Sequence, residues 1–290
     1  MRASWMRVGW GLAVALLLAG CSGTSLLNAL SPAGGVLSQA GLPYGPDERH
    51  RLDVYRPAGP APEAGRPVLL FFYGGSWNRG ERSEYRFVGE SLAAAGIVTA
   101  IADYRLYPQV RYPAFLEDSA AALAYVHRHL AQWGGDPGRL FVAGHSAGAY
   151  NAAMLALDAR WLATQELSPA ILAGWAGLAG PYDFIPVVNP EVRPVFHHPD
   201  TPPDSQPIHH ADRSPPVFLA AARDDDLVDP TRNARQLAER LERHSVPVTL
   251  RVYDRVGHAS LVGTLAWPLR WMAPLRADLV NFVAQTPARD

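Results

Sequence analysis

An open, mostly parallel β-sheet with helices on both faces is the fold that the sequence predicts for residues 44–290, and three observations predict it. Strand-like and helix-like stretches alternate along the chain, the pattern of strands joined by helical crossovers. Residues 67–73 are a solid apolar run, and 97–102 are apolar but for Thr99, as strands covered on both faces are. Residues 139–144 read as a strand that runs directly into Gly144-His145-Ser146-Ala147-Gly148 and then into a small, apolar helical stretch over 147–157.

The elements follow in order. Residues 50–55 alternate charged Arg51 and Asp53 with apolar Leu52 and Val54, which predicts a half-exposed early strand. The strand over 67–73 comes next. Phe87, Val88 and Leu92 are at helical spacing within 83–95, and Gly96 closes that helix. After the strand at 97–102, a long helix over 115–133 is stopped by Gly134-Gly135. Strands at 171–178, 217–222 and 248–253, a helix after Pro230 and a last helix over 272–284 complete the alternation. Between 180 and 216 the pattern fails, in a stretch rich in proline and histidine. A long irregular segment inside a compact domain is usually functional. Here it is expected to form a short lid or pocket wall above the carboxyl edge of the sheet, where ligands bind in open sheets of this class.

The chain has 290 residues, 48% of them hydrophobic, and a net charge of −1, a globular composition with no basic block for nucleic acid. Its one cysteine, Cys21, excludes an internal disulfide. Arg2 and Arg7 precede an uncharged apolar run over 8–19, which as a helix would rise only about 18 Å, short of a bilayer core of about 30 Å. That is the form of a secretory leader. Leu18-Ala19-Gly20-Cys21 resembles the bacterial lipobox, in which the chain is cut before Cys and the thiol takes a diacylglycerol. Ser22, where Asp would signal retention, implies by the same resemblance sorting to the outer membrane. The expected organisation is a leader at 1–20, an uncharged flexible tether at 21–43 and a catalytic domain at 44–290. The membrane is then touched only through the lipid anchor.

The chemistry is carried by Ser146. In a strand–turn–helix setting, G-x-S-x-G forces a sharp turn in which side chains at the glycines would collide, and the serine hydroxyl is pushed out over the sheet edge. A serine needs a base and an acid, in the order Ser, acid, His for this fold. His258, after the last strand, is the expected base, and a base of this kind must be neutral, so the rate should rise between about pH 6 and 8. His145 beside the nucleophile is pointed elsewhere by the turn. Asp224, Asp225 and Asp226 follow the strand at 217–222, and one of them is the expected acid. Backbone N–H groups must meet the oxyanion, each worth about 3 kcal/mol. Ala147 supplies one, and Gly75 and Ser76, in the glycine-rich loop after the first buried strand, supply the others. Trp77 and Tyr182 are the expected pocket aromatics, ahead of Tyr107 and Phe184. His197, His198, His209 and His210 lack metal-site spacing, and neither a metal nor an organic cofactor is implied.

These residues resemble the α/β-hydrolase carboxylesterases of the hormone-sensitive-lipase-like and BD-FAE groups, with arylformamidases as close relatives. Beyond the triad, the resemblance rests on Leu52-Asp53-Val54-Tyr55-Arg56-Pro57, Asp103-Tyr104-Arg105-Leu106, Gly134-Gly135-Asp136-Pro137 and Gly180-Pro181-Tyr182-Asp183-Phe184. It selects Asp225 among the three acids, through the family pattern of Asp followed by two residues and then Val, here Asp225-Asp226-Leu227-Val228. It implies a serine carboxylesterase acting on short-acyl or aryl esters, with formamide hydrolysis as the alternative within enzymes and a non-catalytic envelope binding protein as the alternative outside them. One position departs from the family: Tyr73 stands where the family has the His of H-G-G, a residue that braces the oxyanion loop.

Overall fold

The computed structural model describes residues 23–31 and 34–289. Eight strands make one sheet in the order β1-β2-β4-β3-β5-β6-β7-β8. They are β1 (Val36–Pro43), β2 (Arg51–Pro57), β3 (Arg66–Phe72), β4 (Val98–Ala102), β5 (Gly135–His145), β6 (Leu172–Leu178), β7 (Val217–Ala222) and β8 (Val248–Tyr253). The pairs β1/β2 and β2/β4 are antiparallel, and every other pair is parallel. Residues 68–72 of β3 and all of β4, β6 and β7 are buried, which is why these segments read as apolar runs, broken only by Thr99 in β4. The centre of the sheet is β3-β5-β6, and β5 ends at His145, one residue before Ser146.

The principal helices are α1 (Gly23–Leu30), α2 (Arg86–Ala93), α3 (Ala114–His129), α4 (Ala147–Leu157), α5 (Ala159–Ala163), α6 (Gln236–Arg243), α7 (His258–Gly263) and α8 (Leu275–Gln285). Every residue of α4 is buried, as its run of Ala, Leu and Met requires. The long helix ends in a 3-10 turn, Leu130–Trp133, and Gly134 closes it in the left-handed conformation at φ 74°.

The expected tether over 21–43 is corrected by the fold from Gly23 onward. Residues 23–30 are helix, and 36–43 are an edge strand paired with β2. No residue of β1 is buried, so it has no apolar alternation to signal it. Backbone pairing and the Gly41 N–H, which donates to the Asp53 carboxylate at 2.7 Å, hold it in place. The leader, Cys21 and Ser22 lie outside the described residues.

The segment 180–216 forms a wall. Its only regular pieces are two 3-10 turns, Pro203–Ser205 and Pro207–His210. Val195 and Phe196 are fully buried, the Tyr112 N–H donates to the Val195 carbonyl at 3.0 Å, and the Phe184 N–H donates to the Gln206 side chain at 2.7 Å. Two of the four histidines there bond to backbone: His197 Nε2 lies 2.7 Å from the Tyr112 carbonyl, and His210 Nε2 lies 2.7 Å from that of Asp204.

Candidate active site

The turn at Ser146 is built by exclusion. A Cβ on Gly148 would lie 2.0 Å from the Phe72 carbonyl oxygen, and one on Gly144 would lie 2.2 Å from the Gly148 backbone. Neither position can carry a side chain without moving the central strands. Ser146 itself has φ 54° and ψ −121°, a conformation that costs a non-glycine residue about 1–3 kcal/mol. The Ser146 N–H is fixed to the Leu178 carbonyl at 2.9 Å, and the Ser146 carbonyl accepts from the N–H groups of Ala149 and Tyr150. The hydroxyl therefore projects from the first residue before α4, at the end where helix N–H groups and the positive dipole end point outward.

Three elements bring the remaining groups to it. His258 begins α7, and its Nε2 lies 2.8 Å from Ser146 Oγ. Its Nδ1 lies 2.8 Å from Asp225 Oδ2 and 3.0 Å from Oδ1. Asp225 sits in the turn after β7, where the Leu227 and Val228 N–H groups donate to Oδ1 at 3.0 and 2.9 Å. Burial raises the pKa of this carboxyl, but the hydrogen bond with His258 and the two amides outweigh it and hold the group below its ordinary value. The carboxylate is thus ionised and aimed at Nδ1, which leaves Nε2 free to take the serine proton.

The loop after β3 faces the same hydroxyl. A Cβ on Gly74 would lie 2.9 Å from Ser146 Cβ, so the loop passes as close as backbone can. Gly75, Ser76 and Trp77 have φ values of 126°, 51° and 57°, a coiled path that is pinned when Asn78 and Arg79 donate to the Gly75 carbonyl. Ser76 and Ala147 both line the cavity over Ser146, in the positions expected of oxyanion donors; Gly75 lies one residue behind. Trp77 is locked by its indole N–H, which donates to Asn151 at 3.0 Å, and by Phe196, edge-on at 4.8 Å.

Tyr73 occupies the place of the family histidine. Its ring stacks on Tyr104 at 4.9 Å, and its hydroxyl accepts from Arg49 Nη2 at 2.6 Å. Arg49 also donates to the carbonyls of Gly80 and Tyr104, both at 2.8 Å, so one guanidinium ties the two ends of the loop together. The brace is an Arg–Tyr pair, for which the sequence offers no adjacent signal.

The cavity holds about 200 Å³ and is lined mainly by apolar groups, among them Trp77, Phe184, Pro186, Val187, Val192 and Leu227. That is below the roughly 300–1,000 Å³ typical of pockets for drug-sized ligands. Of the two expected aromatics, Trp77 lines it and Tyr182 does not. Tyr182 is fully buried, edge-on to Trp175 at 6.2 Å, with its hydroxyl over Gly177; two glycines in that neighbourhood leave room for the ring to turn inward. Phe184, two residues on, takes the pocket position instead.

His145 was not foreseen as part of the arrangement. Its Nε2 lies 3.0 Å from the His258 carbonyl, to which it donates, and the two rings are 5.0 Å apart. Burial, and then the nearby His258, push its pKa down to about 3, so it is neutral. It bonds the residue beside the nucleophile to the backbone of the base.

Residues 52–169 match the BD-FAE family model. Among curated proteins, Esterase LipC of Mycobacterium tuberculosis is 33% identical over 242 residues, 76% of this chain and 57% of its own length. Probable isoprenylcysteine alpha-carbonyl methylesterase ICMEL1 of Arabidopsis thaliana is 27% identical over 243 residues, 75% of this chain and 50% of its own. The chain thus spans about half the length of these relatives. Among solved structures, a truncated carbohydrate esterase from gut microbiota superposes with TM-score 0.72 at 18% identity, covering 88% of this chain and 99% of that one. The butyrate-bound esterase Est2 of Thermogutta terrifontis gives TM-score 0.69 at 20% identity, over 87% and 95% of the two chains. With its eight-stranded, mostly parallel sheet and these structural likenesses, the chain has the α/β-hydrolase fold.

Proposed function

We propose that the chain is a serine carboxylesterase that cleaves short-acyl or small aryl esters through an acyl-Ser146 intermediate. One observation carries the reading: Ser146 Oγ, His258 and Asp225 are joined by hydrogen bonds of 2.8 Å at each step, at the floor of a small apolar cavity. His258 takes the proton as Oγ attacks the ester carbonyl. The oxygen that becomes negative is met by the N–H of Ala147 and by those of the Gly75–Ser76 turn. As the carbon–oxygen bond breaks, His258 returns the proton to the leaving alcohol. Water, deprotonated by the same imidazole, then releases the acid and restores the serine.

The cavity volume and its apolar walls favour a small acyl or aryl group, and the relatives named as esterases support ester over amide cleavage. A fluorophosphonate probe tests the site: the wild type labels, and Ser146→Ala does not. Turnover of p-nitrophenyl acetate, p-nitrophenyl butyrate and N-formylkynurenine tests the substrate class. Fast formamide cleavage without ester cleavage would replace this reading with an arylformamidase.

The proposal includes a location. Arg2 and Arg7, the apolar run over 8–19 and Leu18-Ala19-Gly20-Cys21 support a lipid on Cys21 and a place in the cell envelope, in the outer membrane by the presence of Ser22. Cys21→Ala should move the protein out of the membrane fraction.

A further inference from the structure

Helix α1 begins two residues after Cys21, a span of at most about 7 Å, and it is bound tightly to the domain. Asn28 Nδ2 donates to the carbonyls of Ser83 and Glu84 at 2.9 and 3.3 Å, and its Oδ1 accepts the Phe87 N–H at 2.9 Å. Arg86 donates to the Asn28 carbonyl at 2.8 Å. On its inner side Leu27 comes within 3.6 Å of a Cβ built on Gly263, the last residue of α7. The same helix packs on the 3-10 turn Trp267–Leu269.

The surface at this junction is unlike the rest. Six tryptophans lie in the described residues; Trp77, Trp133, Trp161 and Trp175 are buried, and the two exposed ones are here, Trp267 at 62% and Trp271 at 78%. Leu26 at 40% and Leu30 at 50%, one helical turn apart, are exposed on the outer side of α1. Arg270 lies between the two tryptophans, and Arg276 shares its bonds to Ser91; among the described residues neither meets a carboxylate. Indole rings that are apolar but carry one donor favour the boundary of a bilayer, and uncompensated guanidinium groups beside them favour anionic headgroups.

We propose that Leu26, Leu30, Trp267 and Trp271 form a bilayer-contacting face, seated on an anionic phospholipid surface and aimed there by the lipid on Cys21. This rests on the lipid-anchor reading given above. The anchor then enters within about 7 Å of a helix fixed to the domain, so it orients the enzyme as well as holding it. The two acyl chains of the diacylglycerol hold the protein on the bilayer, and the aromatic patch sets which face of the domain meets it.

The test uses the full-length protein, purified from the membranes of the expressing cell and reconstituted in phosphatidylcholine–phosphatidylglycerol vesicles that contain brominated acyl chains. Mass spectrometry of the N-terminal peptide reports the lipid separately. Bromine should quench the tryptophan fluorescence, and W267F/W271F should cut that quenching to less than about half. Its p-nitrophenyl acetate turnover in detergent should stay at the wild-type level, which shows an intact fold. Acylated protein without quenching would overturn the face and leave the anchor reading standing. Quenching that the double variant loses, in protein without the lipid, would keep the face and remove the anchor. Loss of both would defeat both. Shielding of Trp267 and Trp271 that rises with protein concentration in the absence of vesicles would assign the face to a second copy and overturn the proposal.

Discussion

Asp225 has two neighbours of the same type, and the turn after β7 separates them by geometry. Asp224 and Asp226 are exposed, whereas the Asp225 carboxylate receives two backbone amides and the His258 ring. Asp225→Asn should lower kcat by about 10⁴-fold, because an amide favours the wrong imidazole tautomer, while Asp224→Asn and Asp226→Asn should stay within about twofold of wild type. Steady-state kinetics on the three variants checks this; equal losses would reassign the acid. Tyr73→Phe removes the acceptor for Arg49 Nη2 and should lower unfolding stability by about 1–2 kcal/mol, measured by denaturant titration, with kcat/KM falling as the oxyanion loop loosens. Ser146 and His258 were legible from order and setting, because each follows a strand that apolar composition marks. Arg49 was not, since its contact with Tyr73 spans 24 positions and nothing local announces it. Tyr182 misled for a related reason: its place near the carboxyl edge fixes its neighbourhood, but the direction of its ring depends on Gly177, a residue on another element.

At the scale of elements, the fully buried segments were readable, and the two elements with no buried residue were not. The strand over 217–222 and the helix over 147–157 were bounded correctly from composition, because burial imposes the apolar pattern that the sequence displays; the strand over 248–253, buried only at Tyr253, was legible from its β-branched and aromatic residues. Strand β1 and helix α1 have no buried residue, so their order comes from backbone pairing and from Asn28 rather than from apolar periodicity. That origin makes α1 sensitive to one side chain. Asn28→Ala removes three hydrogen bonds, two of them to carbonyls at the entry to α2, and should lower stability by about 1–2 kcal/mol, seen as a drop of several degrees in Tm by calorimetry. An unchanged Tm would mean that α1 contributes nothing to the folded domain.

For the whole molecule, the buried His145 sets an acid limit. Its pKa is about 3 in the fold, chiefly through burial, against an ordinary 6.5. Between those values the unfolded chain takes up a proton that the folded chain refuses, so stability is present in full above about pH 6.5 and falls as pH drops toward 3, by on the order of a few kcal/mol. Asp225, with its lowered pKa, adds a loss of the same sign as pH falls through the carboxylate range. Denaturant midpoints measured from pH 7 to pH 4 should show the decline, and His145→Gln, which has no proton to gain, should flatten its upper part.

The hydrogen bond from His145 to the His258 carbonyl has one more consequence, a mechanical one. A catalytic base on a surface loop ordinarily shares the low local stability of loops. Here the loop is fastened to the last residue of β5, in the middle of the sheet, so a fluctuation that moves the backbone of His258 away from the serine must also break a contact rooted in the central strands. Amide exchange around residues 256–258 should then slow toward the rate set by global unfolding, and the distance between nucleophile and base is preserved for as long as the sheet survives.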